Sequence, residues 1–596
     1  MRLPLAGQPQ VPVLYPKAQN VKRPSEAEVP GDTGGYQGAG VRPYGGRCRV
    51  VKRPLLARVA AVLAVLAAPA GGDEAPAIQA VRTTAHPLID GRLDDAAWRL
   101  APATADFFQR EPVEGAPPSE RTEVRILFDD GHLYFGLRCF DSEADRLVAN
   151  LMRRDAELEE NDNIQIILDP YNDGRGGFFF STNPLGARLD MLLTDEGRAR
   201  NEAWDAVWRS RAVVDSLGWS AEVAIPLDQL RYPDSDDAVW GLNIGRAIRR
   251  KNEEVFLVPP PQAYGSRGRY RTSPLARLTR MGRLPSRPPM AVVPFLLGGS
   301  RRDFGVGGSD EYDLDPGLDF KYGFTPSMTL DLSWKTDFAQ VEADQEQVNL
   351  TRFSLFFPEK RDFFLEGAGI FEFGERVERQ RPGVRPPTLL FYSRRIGIEE
   401  GHNVPVVAGG KLTGRSGPYQ VGALRMTTGA GTFVDEEEDT LRVERTDFTL
   451  LRLRRDLPGS SNVGFIAIDK GPGSEAEYNR TGGADFTLSL MEAALNLRGF
   501  AAKTWTPGVE GRDRAGLLEL DFRRSRFEAR MGWLDVEEEF APEVGFVPRA
   551  GVRRFKGRGR YRPRPRAGWV RQLSMGPQFN YLTDREGALQ LSLIHI

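Results

Sequence analysis

The stretch Leu318-Asp319-Phe320-Lys321-Tyr322-Gly323-Phe324-Thr325, followed by Pro326-Ser327 and then Met328-Thr329-Leu330-Asp331-Leu332-Ser333-Trp334-Lys335, decides the fold of half the chain. Apolar and polar residues alternate without a break on both sides of the Pro-Ser turn. Successive side chains of a strand point to opposite faces, so this pattern predicts a hairpin with one apolar and one charged face. The same alternation recurs in Phe486-Leu488-Leu490, in Leu518-Leu520-Phe522, and in Phe527-Ala529-Met531-Trp533 against Glu528-Arg530-Gly532. Amphipathic strands of roughly ten residues, apolar outward and polar inward, are the signature of a transmembrane β-barrel. A second soluble sandwich with one wet face is the competing arrangement. The number of such strands, the Arg, Asp and Glu at inward positions, which suit a watery lumen, and an export leader described below favour the barrel. The odd-numbered charges of the first hairpin are then expected to line the lumen. Residues 290–590, about 300 in all, predict something like 12 to 14 strands at barrel spacing.

The leader lies at 51–70. Lys52-Arg53 precede an apolar run from Leu55 to Ala68, and Ala68-Pro69-Ala70 ends it before Gly-Gly-Asp-Glu, the pattern of a secretory signal peptide. Residues 1–50, upstream of it, are expected to be a mispredicted N-terminal extension. At the other end, residues 591–596 (Leu-Ser-Leu-Ile-His-Ile) look like translated sequencing adapter, so the barrel is expected to be C-terminally truncated. No stretch approaches the roughly 18 consecutive apolar residues of a spanning helix, so any passage through a membrane must be by barrel.

Residues 75–285 carry a different pattern. Short runs such as Glu123-Val124-Arg125-Ile126-Leu127-Phe128, Leu133-Tyr134-Phe135-Gly136-Leu137, Ile164-Gln165-Ile166-Ile167-Leu168 and Trp219 through Ile225 are separated by Asp129-Asp130-Gly131, Asn172-Asp173-Gly174 and Asn183-Pro184. Many short strands with such turns predict an all-β sandwich of jelly-roll type. Pro259-Pro260-Pro261 and Pro285 through Pro289 bracket an Arg-rich stretch that reads as a linker. The fold class is therefore all-β, an N-terminal β-sandwich followed by a truncated antiparallel transmembrane barrel.

Five blocks, Ile89-Asp90-Gly91-Arg92-Leu93-Asp94-Asp95-Ala96-Ala97-Trp98, Leu133-Tyr134-Phe135, Asn163 through Pro170, Gly218-Trp219-Ser220-Ala221-Glu222 and Trp240-Gly241-Leu242-Asn243-Ile244, resemble in order the carbohydrate-binding module family 9-like domains. The resemblance implies a β-sandwich that binds sugar or is associated with carbohydrate breakdown. It departs at Phe256, after Arg249-Arg250-Lys251-Asn252-Glu253-Glu254, where related modules carry a tryptophan. The block from Thr336 through Gly367, with Glu359, Lys360, Arg361, Asp362 and Glu366 among four phenylalanines, resembles a bacterial family of uncharacterised proteins that joins a barrel-like region to such a module.

A sugar site needs an aromatic platform flanked by planar polar groups. Trp204-Asp205-Ala206-Val207-Trp208, with Asn183 and Asp190, is the local candidate; the alternative is that Trp204, Trp208, Trp219 and Trp240 are core. Asp162, Asp190, Asp205 and Glu222 are the carboxylates to inspect for glycoside hydrolysis, which needs a pair at a defined separation. Asp169 through Gly174 gathers oxygen donors, as calcium requires, without full calcium-loop spacing, and Asp and Asn are default turn formers. A plain turn is the reading taken, and no cofactor is expected.

Composition narrows the partners. Lys+Arg 80 against Asp+Glu 82 gives a net charge of -2, which removes a whole-chain basic excess, so nucleic acid is not an expected partner. Cys48 and Cys139 cannot build a disulfide scaffold, and His86, His132, His402 and His595 show no zinc spacing. The expected partners are a carbohydrate ligand and outer-membrane lipid. The functional expectation is a carbohydrate-binding outer-membrane protein, with a hydrolase of O-glycosyl bonds or a protein-docking component as rivals.

Overall fold

The computed structural model describes residues 75–595 except 203, 286–289, 303–309, 326, 336–354, 358, 376–386, 400–401, 435–439, 472–476, 492–493, 564, 566–569 and 571. The predicted leader, the N-terminal extension and most of the block opening at Thr336 lie outside the described residues.

In the N-terminal half a nine-stranded sheet faces a five-stranded one. The first contains Asn163–Asp169, Gly177–Thr182, Arg188–Thr194 and Trp240–Ile248; the second contains Thr122–Phe128, His132–Phe140, Arg209–Asp215 and Gly218–Pro226. Pairing is antiparallel except where Ala77–Gln79 joins Ala276–Thr279 and Val81–Arg82 joins Thr122–Phe128. Ile126, Phe135 and Leu137 of one sheet meet Ile164, Ile166 and Ile244 of the other in a single buried cluster. Each such side chain contributes about 1.5–3 kcal/mol by leaving water.

The blocks that carry the family 9 resemblance are held together by one carboxylate. Trp98 is buried, and its Nε1 donates to Glu222 Oε1 at 2.7 Å, while Glu222 Oε2 accepts from the backbone N–H groups of Asp90 and Gly91 at 2.8 Å each. Gly136 lies beneath the indole: a Cβ there would stand 2.8 Å from the Trp98 ring. Arg249–Lys251 forms a single helical turn whose Arg250 pairs with Asp141 and Glu143 and whose Lys251 reaches Glu120 at 2.6 Å. Phe256 packs into the core over Gly245, where a Cβ would come within 2.3 Å of its ring.

The Arg-rich stretch expected as a linker is instead part of the sandwich. Arg269 and Arg271 are buried against Glu254 and Glu196, and Ala276–Thr279 is a strand of the larger sheet. Its Pro and Arg density suggests exposure only if these carboxylates, distant in sequence, are ignored.

The C-terminal half is a fourteen-stranded antiparallel sheet in which every strand from Met290–Arg302 to Leu589–His595 pairs with its neighbour along the sheet in chain order. The decisive hairpin forms in the register its alternation requires, with Leu318 opposite Trp334, Phe320 opposite Leu332 and Lys321 opposite Asp331. Leu332, Trp334, Leu451, Phe465, Met531, Trp533 and Phe555 are exposed on the outer face, while Asp331, Lys411, Arg452, Asp521 and Arg554 are buried on the inner one.

The lumen is not the watery space the charges suggest, because the described parts of residues 355–399 fill it. Two short helices, Asp362–Leu365 and Ala368–Phe371, lie there. Phe371 and Phe373 press against Gly422 and Gly483 of the wall, where a Cβ would stand 2.6 and 2.8 Å from their rings. Arg498 donates to Gly374 O at 2.6 Å, Lys411 to Glu366 O at 2.7 Å, and Glu375 pairs with Arg554. One insert thus touches wall strands from Asp310–Thr325, through the Lys321–Glu366 pair, to Val552–Tyr561, so the sheet wraps around it. Inward Leu424, Met426, Phe448, Leu450, Ile466 and Ile468 join the insert's phenylalanines in one core, which explains why the inner face is not uniformly polar.

The two ends of the barrel differ. At one end the connections are the short 326–327, 417–418, 458–460, 491–494 and 524–526, with a longer one at 562–577; at the other are 303–309, 335–405, 429–445, 472–478, 506–513 and 537–551, with a short one at 585–588. The sandwich docks on the short-turn end. Asp173 pairs with Arg415, Arg175 with Asp456, and Ser489 Oγ donates to Glu196 Oε1 at 3.3 Å.

Candidate functional site

The structure brings Trp204, Trp208, Asp190 and Asp205 together, and it gives them unequal roles. Trp208 is buried at 1% exposure with its ring edge-on to Phe180, centroids 5.3 Å apart, and its Nε1 donates to Asp190 Oδ1 at 2.9 Å. Asp190 also accepts from Ala206 N at 2.7 Å and from Arg154 Nη2 at 2.8 Å. Burial pushes the Asp190 carboxyl upward, against the pull of these donors. Asn183 is wholly buried: its Nδ2 donates to Leu151 O at 2.7 Å and its Oδ1 accepts from Leu185 N and Ala187 N at 3.1 and 3.0 Å. Trp208 and Asp190 are therefore braced inside, in the core role weighed for the tryptophans from sequence, whereas Asn183 serves the turn of Leu185 and Ala187 with Leu151 and Asn161, and none of the three offers an open face.

Trp204 is placed otherwise. Of the tryptophans within 75–285, Trp98, Trp208, Trp219 and Trp240 are buried at 1% exposure or less, whereas Trp204 packs on Phe178 and Phe180 with centroids at 5.1 and 5.9 Å and keeps part of its surface open. Asp205 beside it is exposed, and Arg154 spans from buried Asp190 to Asp205. Asp155, next to Arg154, has its carboxyl pushed up by burial. A half-open indole whose chain neighbour Asp205 pairs with Arg154 offers an apolar face close in sequence to planar hydrogen-bonding groups. Sequence spacing could not separate Trp204 from Trp208, since residues four apart share a face in a strand. Arg154 carried no signal at all, being joined to the cluster only by the tertiary fold.

The other carboxylates singled out are occupied as acceptors. Asp162 receives Val148 N at 2.6 Å and Arg249 N at 3.1 Å, and Glu222 holds the Trp98 turn. Asp169 is wrapped by its own turn, accepting from Tyr171, Asp173 and Gly174 N–H groups, and Asp173 turns away to Arg415. Burial and the neighbouring Asp173 charge raise the Asp169 carboxyl to about 7. In the charged cluster among the phenylalanines, Glu366 pairs with Arg231 of the sandwich and Lys321 of the wall. Arg361 donates to Glu359 at 2.9 and 2.8 Å and to Ile396 O at 2.8 Å, and lies 4.2 Å over the Phe364 ring.

Residues 289–414, which span the first barrel strands and most of the insert, match the family described as Domain of unknown function (DUF5916). No curated protein matches the chain. Among solved structures, a carbohydrate binding module family 9 from Caldicellulosiruptor kristjanssonii in complex with cellotriose is similar at 15% identity, covering 35% of this chain and 94% of that one with a TM-score of 0.26. The same module in complex with glucose is similar at 15% identity, covering 35% and 96%, TM-score 0.26. Pseudomonas aeruginosa OpdL is similar at 9% identity, covering 73% of this chain and 97% of that one with a TM-score of 0.21.

Proposed function

We propose that this is an outer-membrane protein, exported by the 51–70 leader, whose barrel spans the bilayer and whose sandwich binds carbohydrate at Trp204, Asp205 and Arg154. The observation that carries the binding site is the partly open Trp204 among otherwise buried sandwich tryptophans, followed in the chain by Asp205, which pairs with Arg154. Support for the class of ligand comes from the sequence blocks resembling family 9 modules. The apolar outer face of the fourteen-stranded sheet suits lipid. Bacterial outer-membrane barrels carry short turns on the periplasmic side and longer loops outside, so docking on the end with most of the short turns supports a periplasmic sandwich. There it meets sugars that have already crossed the outer membrane, which favours a role in carbohydrate uptake or catabolism.

Calorimetric titration of the detergent-purified full chain against a glycan panel, with and without calcium, tests the reading. Saturable binding that weakens at least tenfold in Trp204→Ala is the expected result. A folded protein that binds no glycan, or a Trp204→Ala variant that binds as the parent does, would overturn it.

A further inference from the structure

At the short-turn mouth of the barrel two like charges face each other across the strands. Elsewhere on the inner face opposite charges do so: Lys321 stands across from Asp331, Asp331 from Lys411, Arg498 from Glu519 and Glu528 from Arg560. Arg530 of the strand Phe527–Val536 instead stands directly opposite Arg558 of the strand Val552–Tyr561. Side chains so placed have Cβ atoms roughly 4.5–5.5 Å apart, and like charges there destabilise the pairing.

The surroundings answer this charge only in part. Asp521, on the far side of Arg530, is shared between Arg530 at 3.1 Å and Arg523 at 2.9 Å. Glu528, one rung nearer the mouth, is shared between Arg560 at 3.6 Å and Arg562 at 2.5 Å. Five arginines, Arg558 included, thus meet two carboxylates. One rung deeper, Glu519 is taken up by Lys556 at 2.8 Å and Arg498 at 3.3 Å. On its other side Arg558 faces the neutral Gln578. The Arg558 side chain is exposed, and among the described residues it forms no ion pair.

Two guanidinium groups held side by side, one of them without a carboxylate, make a receptor for an anion. The geometry also selects the anion. One planar fork satisfies both oxygens of a carboxylate, whereas two neighbouring forks supply donors to a phosphate group, which has three terminal oxygens and a charge of about −1.5 to −2. Phe527 and Met531 of the same strand alternate with Arg530 and are exposed on the outer face, so the Arg530–Arg558 rung looks into the mouth, away from any surrounding lipid. The sandwich borders this mouth, where Arg562 Nη1 donates to Ala263 O at 3.3 Å.

We infer that the Arg530–Arg558 rung binds the phosphate group of a solute at the sandwich-bearing mouth of the barrel. The inference goes beyond the carbohydrate reading and rests neither on Trp204 nor on a bilayer around the barrel.

The test is calorimetry on the detergent-purified full chain with inorganic phosphate and with acetate, in a zwitterionic buffer at constant ionic strength. Phosphate is expected to bind saturably and at least tenfold more tightly than acetate. Arg558→Gln should weaken phosphate at least tenfold and Arg558→Lys should keep part of the affinity, while Arg524→Gln, on the adjoining turn, should bind as the parent does. Arg558→Gln removes a repulsion, so it is expected to fold, which heat-modified gel mobility checks. No phosphate binding, or acetate bound as tightly as phosphate, overturns the inference without any variant. So does parental phosphate affinity in folded Arg558→Gln, or an equal loss in Arg524→Gln, which would mark a diffuse surface charge. Because glycan binding is read at Trp204 and phosphate binding at Arg558, each proposal can fail alone.

Discussion

The sandwich and the barrel are built from the same element, the alternating antiparallel strand, and they turn it inside out relative to one another. In the sandwich, Ile126, Phe135 and Ile166 face inward between two sheets, and cations such as Arg82 and Arg138 reach the outside. In the barrel, Phe465, Met531 and Trp533 face outward and Asp331, Lys411 and Arg452 lie within. The difference teaches that period-2 patterning specifies two faces and not which one is covered. The solvent on the far side decides that. The interior differs as well: the sandwich closes on itself, whereas the barrel needs the 355–399 insert to fill its lumen and to answer its charges.

The comparison can be broken first at the sandwich carboxylate that ties its blocks together. Glu222→Ala strands the buried Trp98 indole N–H and Gly91 N–H and the half-buried Asp90 N–H. Each unsatisfied group costs about 1–3 kcal/mol, so the sandwich should lose on the order of 3–9 kcal/mol in all while the barrel remains folded. Hydrogen exchange across residues 89–98 and 218–226 reads this, and unchanged protection would refute it.

The barrel should respond to a change of opposite sense. Phe465→Arg places a charge on the outer face at 63% exposure. If that face meets lipid, the cost is roughly 2–4 kcal/mol near the bilayer midplane; if it meets water, the substitution is close to neutral. Urea titration of the protein folded into vesicles distinguishes the two.

The insert sharpens the contrast between a filled and an open lumen. Gly422→Val brings a side chain against Phe371, whose ring stands 2.6 Å from the ideal Cβ position. Overpacking of this kind costs about 1–3 kcal/mol and should loosen the insert, seen as faster proteolysis within 355–399 at little change in strand content.

The smallest effect is expected from a sandwich surface network. Burial works against the Glu120 carboxylate, but hydrogen bonds from Lys251 and Ser142 hold it down from its ordinary 4.5 to about 2. Its folded-state value is thus depressed, so its contribution is present above its ordinary range and disappears as the pH falls through about 2. Glu120→Gln should therefore flatten the loss of stability between pH 5 and 2 by under about 1 kcal/mol, the scale of partly exposed ion pairs. Melting curves across that range, followed by tryptophan fluorescence, measure it; identical slopes would exclude the assignment.

Much of this architecture was legible from residues alone. The hairpin 318–334 pairs in the register its alternation required, and the later runs at Phe486, Leu518 and Phe527 are wall strands of the same sheet. The candidate site was legible only as a neighbourhood. Trp204 and Trp208 were found together, but nothing in their spacing told the braced ring from the open one, and Arg154 was invisible. The Arg-rich stretch after Pro259-Pro260-Pro261 was misread because its carboxylate partners lie elsewhere in the chain.

By itself the sequence determined that the chain is all-β and which side chains of the first hairpin share a face, because alternation is a property of neighbours along a strand. Only the tertiary structure decided that the described parts of 355–399 enter the lumen, that the sandwich sits on the short-turn end, and that Trp204 keeps part of its surface open while Trp208 does not. Those outcomes depend on pairs such as Arg175 with Asp456 and Trp98 with Glu222. Residues so far apart in sequence meet only when the apolar faces between them have been buried, and no local pattern records that meeting.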